Sequence, residues 1–442
     1  MGMFSSPEVE EATSPRAWLQ AMLDVEGALA RAHGAAGAMP AAAVASIVAA
    51  CDAGLYEIAA MREGAVASAS PVVPLVEALR TKAGPEAARY VHLGATSQDI
   101  IDTAMMLLAR RCTNAILAEI DRAAATLAGL AREHRGTLML ARTLLQPALP
   151  TSFGLKCAGW LDGWLDARDA LERVRSGRLA VQFGGAAGTL ASLGADGPRL
   201  VELLAGELGL AAPPVPWQTS RGRMVELASA LSMAAGAAGK VAGDILLLAQ
   251  AEVGEVTAAA PAGGGRSSAM PHKRNPAAAV LAVAASKQAS GYASMLIGLQ
   301  VHEHERGAGS WQAEWQPLTL LLNAAGGAVH HVASLLKHVA VHPQAMRANL
   351  DAQRGLPMAE SLSARLSRHL AGTQARDLVE ELCVRVGASD STLLEEATRD
   401  SRVTGHMDGA ALAAALDPAS YLGSAGLFID RVLDRYQRLV GI

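Results

Sequence analysis

Aromatic side chains are scarce in this sequence. Only 3% of its 442 residues are Phe, Trp or Tyr, although 51% are hydrophobic. The interior must therefore consist mainly of Ala, Leu and Val, which favours closely packed helices over a sheet of aromatic and β-branched residues. We predict an all-α fold, and the length allows more than one hydrophobic core.

Neither the cysteines nor the charges form a functional cluster. Cys51, Cys112, Cys157 and Cys383 are far apart and include no CxxC pair, so the sequence predicts neither a disulfide framework nor a zinc site. Lys and Arg number 38 against 42 Asp and Glu, and no basic block is interleaved with aromatics. A nucleic acid is therefore not an expected partner.

A membrane location is not expected either. The most apolar stretch, residues 224–252, is interrupted by Glu226, Lys240 and Asp244, which suits a buried helix better than a bilayer span. The N-terminal segment carries acids rather than a basic segment followed by an apolar run, so it does not resemble a secretory signal. We expect a cytoplasmic protein without a membrane partner.

Motifs for nucleotide and metal cofactors are missing as well. FGGAAGT at 183–189 does not match GxGxxG, and no segment matches GxxxxGK[ST], so these glycines predict a tight turn between packed helices. HExxH is absent, and His302 and His304 alternate in HEHE instead of standing four residues apart. The sequence thus predicts no cofactor and no metal ion.

Long helical periodicity is what the sequence does contain. Ser14-Pro15 is an N-cap followed by Pro at the first helical position, and apolar residues then recur at helical spacing up to Gly34. A longer pattern runs from Asp99 to near Gly136. Similar segments cover about 155–178, 222–255, 276–300 and 315–340. Segments of this length are typical of the long helices of a bundle.

The organisation changes along the chain. Unusual residues concentrate between the long helices, in segments that we predict to be loops: 92–99, 141–150, 183–189, 217–223 and 302–311. After about residue 345 the helical segments shorten, with breaks at Gly355, Gly387, Gly405 and Asp417-Pro418. We predict three helical domains, namely an N-terminal domain at 1–100, a central long-helix bundle at 101–345 and a C-terminal domain at 346–442.

HLGATSQD at 92–99 places two hydroxyl side chains directly before a long helix. Thr96 or Ser97 would serve as an N-cap, which is the simplest interpretation. The same hydroxyls, with the unpaired N–H groups of the first helical turn, would also form an anion site. The two roles are compatible.

GGGRSSAMPHKRNP at 263–276 is less easily explained by structure alone. Three glycines leave the chain free to change its path, yet Ser267, Ser268, Lys273 and Asn275 concentrate hydrogen-bond donors within a few positions. A plain linker would continue with spacer residues. We predict a loop, near 258–276, that closes over an anion.

Three strings resemble the fumarase/aspartase superfamily, whose members include argininosuccinate lyase, adenylosuccinate lyase and 3-carboxy-cis,cis-muconate cycloisomerase. SSAMPHKRNP is similar to the superfamily signature SSxMPxKxNP. HLGATSQD and ARTLLQPALPTSFG are similar to its first and second conserved regions. The three strings occur in the expected order over about 180 residues.

The resemblance implies a bundle of long helices flanked by two smaller helical domains, and a homotetramer whose active sites combine loops from three subunits. It implies that Ser267 exchanges a proton with the carbon beside a substrate carboxylate, and that Lys273 and Asn275 hold that carboxylate. Thr96 and Ser97 match the hydroxyl pair that binds another acid group.

Further residues are candidates for binding a polycarboxylate substrate. Ser268 and Met270 belong to the signature string. The remaining candidates, which lie in the other loop segments, are Arg142, Thr143, Thr219, Arg221 and Arg223. Taken singly, each of these arginines is also explained by an ordinary salt bridge at a helix end.

Members of the superfamily differ in the group that leaves or attacks. Lyases that release an amine carry histidines in the second region, in the form THxQHAQP, to protonate the nitrogen. Here that region reads TLLQPALP, with Leu144 and Pro147 at the histidine positions. A carboxylate, with a reference pKa around 4, is already ionised near neutral pH and needs no proton donor in order to attack or leave.

ASPVVPLVEAL, EHERGAGSWQAEWQPL, NLDAQRGLPMAESL and DPASYLGSAGLFIDRVL resemble the 3-carboxymuconate cycloisomerase branch. This implies intramolecular carboxylate addition to a C=C bond, which converts 3-carboxy-cis,cis-muconate to 4-carboxymuconolactone in protocatechuate breakdown (the β-ketoadipate pathway). One alternative is an amine-releasing lyase similar to adenylosuccinate lyase, which Leu144 and Pro147 disfavour. The other is a catalytically silent scaffold, which would have no use for Ser267, Lys273 and Asn275.

Overall fold

The computed structural model describes residues 2–258, 265–270 and 272–440, and within them α-helices predominate. The all-α prediction is confirmed. The helices are α1 (Pro7–Ala12), α2 (Pro15–Ala35), α3 (Ala41–Ala50), α4 (Arg62–Ser68), α5 (Val72–Ala83), α6 (Pro85–Ala88), α7 (Ser97–Glu133), α8 (Phe153–Gly177), α9 (Gly197–Leu208), α10 (Gly222–Leu248), α11 (Ala277–Gly298), α12 (Ser310–Leu336), α13 (Pro343–Asp351), α14 (Ala359–Leu366), α15 (Gly372–Gly387), α16 (Leu393–Arg399), α17 (Ser401–Thr404), α18 (Gly409–Ala415) and α19 (Ala425–Val440). Short strands are β1 (Leu138–Thr143), β2 (Gln146–Ser152), β3 (Val256–Ala258) and β4 (Val339–Val341).

The long helices follow the predicted periodicity. Helix α2 begins where the cap signal placed it, because the Ser14 side chain accepts a hydrogen bond of 3.1 Å from the Ala17 N–H. Helix α7 is 37 residues long and ends close to Gly136. Helices α8, α10, α11 and α12 cover the four other segments, although α10 ends at Leu248, earlier than predicted.

The chain divides into two compact units, each made of three stretches. Unit 1 comprises Met1–Asp121, Asp166–Lys240 and Val280–Ala333, and unit 2 comprises Arg122–Leu165, Val241–Ala279 and Ser334–Ile442. Within unit 2, helices α14 to α18 enclose a hydrophobic core of their own, centred on side chains such as Leu362, Leu378 and Leu382. The division into three domains at 1–100, 101–345 and 346–442 stays a prediction.

One segment that the sequence predicted to be a loop forms regular secondary structure. Residues 141–150 fall in an antiparallel hairpin of β1 and β2, whose register runs from Leu138 opposite Ser152 to Thr143 opposite Gln146. The prediction of a loop here was wrong because the turn consists of two leucines, which carry none of the Gly, Asn or Asp signals that mark a hairpin.

Two helices have a long apolar stretch. By length and composition alone, α10 and α12 would be long enough to cross a membrane. In α12, 67% of the most apolar window is buried inside the protein, as expected of a core helix. In α10 the figure is 44%, so this helix also presents an apolar face, which includes Met233, at the surface of the chain.

Candidate functional site

The start of α7 is held in place by a buried carboxylate. Asp99 Oδ2 accepts hydrogen bonds from the backbone N–H groups of Thr96 (3.0 Å) and Gly185 (2.9 Å). Asp99 Oδ1 accepts from Gly184 N and from Gln182 Nε2, each at 3.0 Å. Burial raises the pKa of Asp99 to about 6, although these donors oppose the shift. Asp99 thereby fixes Thr96 against the glycine-rich segment 183–189.

The glycines of the segment 183–189 lie too close to their neighbours for a side chain to fit without a shift. Gly185 and Gly188 have φ values of +65° and +83°, in the left-handed region that favours glycine. A Cβ on Gly185 would lie 3.0 Å from the Gly94 carbonyl oxygen, and one on Gly188 would lie 2.9 Å from Gln218 Oε1. These glycines form a tight turn, as predicted, and bring backbone groups beside Thr96.

Arg306 joins three segments around Thr96. Its Nη2 donates to Thr96 Oγ1 and to the Ala186 carbonyl oxygen, each at 3.1 Å, and its Nε donates to Gln98 Oε1 at 3.3 Å. All three acceptors are uncharged. Arg306 lies in the string EHERGAGSW and was not among the predicted site residues, because a single arginine in a loop has no distinguishing spacing.

A buried ion cluster lies one helical turn further along α7. Arg221 donates to Asp102 from Nη1 and Nη2 (2.8 and 3.2 Å) and to Glu314 from Nε (3.0 Å), with a further short bond from Nη2 to Glu314. The three side chains have no exposed surface. Trp311 Nε1 donates to Asp102 at 3.0 Å, and His302 Nε2 lies 3.3 Å from Glu314 Oε1.

The cluster keeps Arg221 charged inside the protein. Burial would lower the pKa of its guanidinium, but Asp102 and Glu314 raise that pKa above its ordinary value. Within the described part of the chain, the hydrogen bonds of Arg221 are all directed to these two carboxylates. The substrate-binding role predicted for Arg221 stays a prediction, and its complete burial does not favour it.

The other candidates near this cluster are less buried. Thr219 is half-buried in the turn that leads into α10. Arg223 Nη1 donates to the Arg178 carbonyl oxygen at 2.9 Å, and burial lowers the pKa of Arg223. Thr219 is thus open to a ligand, whereas part of the Arg223 guanidinium already has a backbone partner.

His92, in the loop before α7, is oriented by a buried carboxylate. Its Nδ1 lies 2.6 Å from Glu26 Oε1, and Glu26 is almost fully buried. Burial would lower the pKa of His92, but the Glu26 carboxylate outweighs this and raises it above the ordinary value. His92 begins the string HLGATSQD but was not among the predicted site residues.

In unit 2, the β1–β2 hairpin carries Arg142 and Thr143. Arg142 donates through Nη1 and Nη2 to the buried Glu255, at 3.0 and 2.6 Å, and Asn349 Nδ2 also donates to Glu255 Oε1 at 2.8 Å. Arg142 is therefore an ion-paired residue within the chain, as the structural interpretation of a lone arginine predicts. Thr143, the last residue of β1, is exposed.

The turn of this hairpin has an unusual backbone. Leu144 and Leu145 have φ values of +51° and +64°, and their side chains are 97% and 72% exposed. Leucine rarely adopts this conformation, and the exposure of two apolar side chains to water is unfavourable. Pro147 follows at the start of β2. Neither Leu144 nor Pro147 offers a group that can donate a proton.

The described part of the loop 263–276 is tied together at its base. Asn275 N donates to the Gly265 carbonyl oxygen at 2.7 Å, and Arg266 pairs with Arg274 in an antiparallel bridge. Ser267 Oγ accepts hydrogen bonds from the backbone N–H groups of Met270 (3.1 Å) and Ala269 (3.3 Å). Gly263, Gly264 and Pro271, on which part of the loop-closure prediction rests, lie outside the described residues.

The remaining loop candidates face solvent. Ser268, Met270 and Lys273 are exposed, and Asn275 is half-buried. Arg266, His272, Lys273 and Arg274 bring basic groups to this short stretch, whereas it contains no acidic residue. The stretch that contains Ser267 is therefore rich in basic residues. Among the residues that the structure describes, no group of three His, Cys, Asp or Glu side chains is arranged to hold a metal ion.

Comparison with known proteins places this geometry in a family. Residues 4–291 match the family model described as Lyase, and residues 355–432 match the one described as Adenylosuccinate lyase C-terminus. The chain belongs to the fumarase/aspartase superfamily of lyases. Within this superfamily, the chain is 45% identical over 439 residues to a 3-carboxy-cis,cis-muconate cycloisomerase from Bradyrhizobium diazoefficiens, with 99% of this chain and 97% of that protein covered.

Two other superfamily members are informative. A nitrosuccinate lyase from Streptomyces davaonensis is 43% identical, with 98% of this chain and 93% of that protein covered. The crystal structure of a 3-carboxy-cis,cis-muconate lactonizing enzyme from Pseudomonas putida superimposes with a TM-score of 0.92 at 39% identity, covering 99% of this chain and 98% of that one. The superfamily and fold implied by the three motifs are thus confirmed.

The predicted site residues of this superfamily member are divided between the two units. Unit 1 contains Thr96, Ser97, Thr219, Arg221 and Arg223, and Arg306 donates to Thr96 Oγ1 there. In unit 2, the candidates lie on two structures: the hairpin with Arg142 and Thr143, and the loop with Ser267, Ser268, Met270, Lys273 and Asn275. Their individual roles remain predictions.

Proposed function

We propose that this protein is a cycloisomerase that converts 3-carboxy-cis,cis-muconate to 4-carboxymuconolactone. The observation that carries the proposal is the combination of an intact SSAMPHKRN loop with a hairpin turn of two leucines. The loop has the serine and cations needed to act beside a carboxylate, and the turn has no proton donor. This suits an attacking carboxylate. Similarity to relatives with that name, over nearly the whole chain, supports it.

The chemistry would begin with the substrate's own carboxylate. One of its oxygens forms a bond to an alkene carbon, and the alkene electron pair moves to the adjacent carbon and into the carboxylate attached there. Lys273 and Asn275 would stabilise that developing charge. Ser267 would then give its hydroxyl proton to the adjacent carbon, which completes the lactone, and would recover a proton from solvent.

The backbone around Ser267 fits this role. When the hydroxyl gives up its proton, negative charge develops on Oγ, the atom toward which the N–H groups of Ala269 and Met270 point. Such preorganised donors stabilise an oxyanion without reorganisation during the reaction. The basic side chains of the same loop, including Lys273, favour the same charge. A serine hydroxyl is a poor acid or base in water, but these donors would allow Ser267 to exchange a proton with the substrate.

The substrate carboxylates need several binding groups. We propose Thr96, Ser97 and Thr219 as hydroxyl donors, with Thr143 on the exposed end of β1. Ser268 and Met270 would contact substrate from the loop. The three predicted arginines already have partners within the chain: Arg142 binds Glu255, Arg221 binds Asp102 and Glu314, and Arg223 binds a carbonyl oxygen.

A second candidate is an elimination that releases an inorganic anion. The nitrosuccinate lyase from Streptomyces davaonensis is 43% identical to this chain, between two cycloisomerases that are 45% and 42% identical. Nitrite, like a carboxylate, leaves as a stable anion, so the absence of a proton donor at Leu144 and Pro147 is equally compatible with it. The same absence disfavours release of an amine, and the intact catalytic loop disfavours a silent scaffold.

We further propose a cytoplasmic homotetramer in which loops of different subunits share each active site. Support comes from exposed apolar side chains on the long helices, since a soluble monomer rarely leaves such faces uncovered. Symmetric assembly would bury them.

Turnover assays distinguish the candidates. We expect the wild-type protein to remove the diene absorbance of 3-carboxy-cis,cis-muconate, and Ser267→Ala to lower kcat by at least about 100-fold, as loss of a proton-transfer group does. Ser46→Ala, on the exposed face of α3, is the matched control and should keep full activity. Nitrite released from nitrosuccinate, without lactone formation, would replace the proposal with the second candidate. Near-normal turnover by Ser267→Ala would refute the serine assignment.

A further inference from the structure

Arg306 is half-buried, and its hydrogen-bond partners carry no charge. Arg221 has two carboxylate partners and Arg142 has one, but the hydrogen bonds of Arg306 go to a hydroxyl, an amide oxygen and a backbone carbonyl. Within the described residues, no carboxylate lies within 4 Å of its guanidinium. Partial burial beside uncharged groups leaves the charge of Arg306 uncompensated by the described part of the chain, so an anionic ligand is a suitable partner for it.

The nearest acidic side chains on α7 are already committed. Asp99 receives N–H donors on both of its oxygens, from Thr96, Gly184, Gly185 and Gln182. Asp102, one turn later, binds Arg221. Neither carboxylate has its main partner in Arg306, so the positive charge at this position remains available.

The amide of Gln98 keeps Arg306 in place without neutralising it. Gln98 is fully buried, and its Nε2 donates to the Gln218 carbonyl oxygen at 2.7 Å and to Asp102 Oδ2 at 3.1 Å. Because both acceptors require the NH₂ end of the amide, Oε1 must face Arg306 Nε. A glutamate would form an ion pair here, whereas a glutamine orients the guanidinium and leaves its charge uncompensated.

The hydrogen bonds of Arg306 leave donors for a ligand. Nε and Nη2 are used, so the two hydrogens of Nη1 have no acceptor among the described residues. Thr96 Oγ1 accepts a hydrogen bond from Arg306, so the Thr96 hydroxyl hydrogen can be donated to a ligand. Ser97 and the first N–H groups of α7 are adjacent. A cation, hydroxyl donors and a helix N-terminus therefore meet at one place.

We infer that Arg306 binds one carboxylate of the substrate together with Thr96, and that Gln98 is the residue that positions it. The identity of the substrate rests on the proposed function. That the ligand is an anion follows from the charge of Arg306 and does not depend on the proposed function. Arg306 is thereby a specificity-determining residue. Its guanidinium has no acidic partner among the described residues, so a substrate carboxylate would provide the opposite charge.

The test measures binding of tricarballylate, an unreactive tricarboxylate, by calorimetry. We expect Arg306→Gln to raise its Kd about 10- to 100-fold, as loss of a charge-assisted hydrogen bond predicts, with Arg306→Lys between that variant and the wild type. Salt should weaken binding to the wild type more steeply than to Arg306→Gln, since only the wild type forms the ion pair. Arg347→Gln, which removes an exposed arginine paired with Asp351 on α13, is the control and should bind normally.

A Kd for Arg306→Gln within twofold of the wild type would overturn the inference. Equal salt dependence in the two proteins would do so as well, because a merely structural arginine would not change that slope. If Arg306→Gln does not fold, Arg306→Lys keeps the charge and provides the affinity comparison. Tricarballylate binding that depends on Arg306, in a protein inactive on 3-carboxymuconate, would support the inference while refuting the proposed function.

Discussion

Arg221 shows how a single residue can have the right type and sequence position yet a different environment from the one expected. It was a candidate for binding substrate because it lies in a loop between long helices. In the structure it is enclosed by Asp102, Glu314 and the indole of Trp217, whose ring centroid lies 4.8 Å from the guanidinium carbon. Its contacts connect α7, α10 and α12, so we expect its main contribution to be to stability.

Replacing Arg221 tests this assignment. Arg221→Met would leave two carboxylates buried without a counter-charge, and breaking such a pair typically costs about 3–5 kcal/mol of the free energy of unfolding. The measurement is urea unfolding followed by circular dichroism. Arg347→Met, at an exposed ion pair, is the control and should change stability by less than about 1 kcal/mol. If Arg221→Met were as stable as the wild type but bound tricarballylate poorly, direct substrate binding would be the better account.

The β1–β2 hairpin is the element that departs most from local preference. A two-residue hairpin turn with positive φ at both positions is normally formed by Asn-Gly or Asp-Gly. Here Leu144 and Leu145 occupy it, with most of their surface exposed. Conformations of this kind persist where the surrounding structure requires them, and they concentrate at functional sites. The position agrees with the superfamily's second region, in which amine lyases carry histidine.

Replacing the two leucines by residues that favour this turn tests whether the hairpin backbone is strained. The double substitution Leu144→Asn and Leu145→Gly should relieve the strained backbone and raise the free energy of unfolding by about 1–2 kcal/mol. Thermal unfolding checks the prediction, and Thr143→Asn, which changes the neighbouring exposed residue outside the turn, is the control. A fall in stability would contradict it and would indicate that the two leucines pack against another chain.

At the scale of the whole molecule, the long helices leave apolar surface uncovered. Met233 on α10, Val280 and Met295 on α11, and Val301 after α11 are each about half exposed or more. These helices are also among the most apolar of the chain, and α10 has less than half of its apolar window buried. We expect these exposed apolar side chains to be buried where the long helices of different subunits pack together.

Sedimentation equilibrium tests the proposed assembly. We expect a mass close to four times the 45.5 kDa chain. Met295→Lys should shift the distribution toward smaller species, because burying a lysine in an apolar interface is unfavourable. Val384→Lys on α15, which changes a single exposed apolar residue, is the control and should leave the mass unchanged. A monomeric wild type would exclude the tetramer and, with it, the sharing of active sites between subunits.

The amino-acid sequence by itself determined the helices and the family. The cap at Ser14, the glycines after position 345 and the apolar spacing of α7 are local signals, so they specify where helices begin and end regardless of what packs against them. The string SSAMPHKRNP identified the superfamily because its residue types occur together at fixed spacing. The absence of histidine at Leu144 and Pro147 was likewise readable from the letters.

Only the tertiary structure decided which charges remain available. Arg142, Arg221 and Arg306 are equivalent as letters in loop segments. Arg142 is neutralised by Glu255, and Arg221 by Asp102 and Glu314, whereas Arg306 contacts the uncharged Gln98. Each of these partners lies between 93 and 208 positions away in the chain. A salt bridge forms through space and has no periodicity in sequence, so the one uncompensated arginine among the three becomes visible only when the chain is folded.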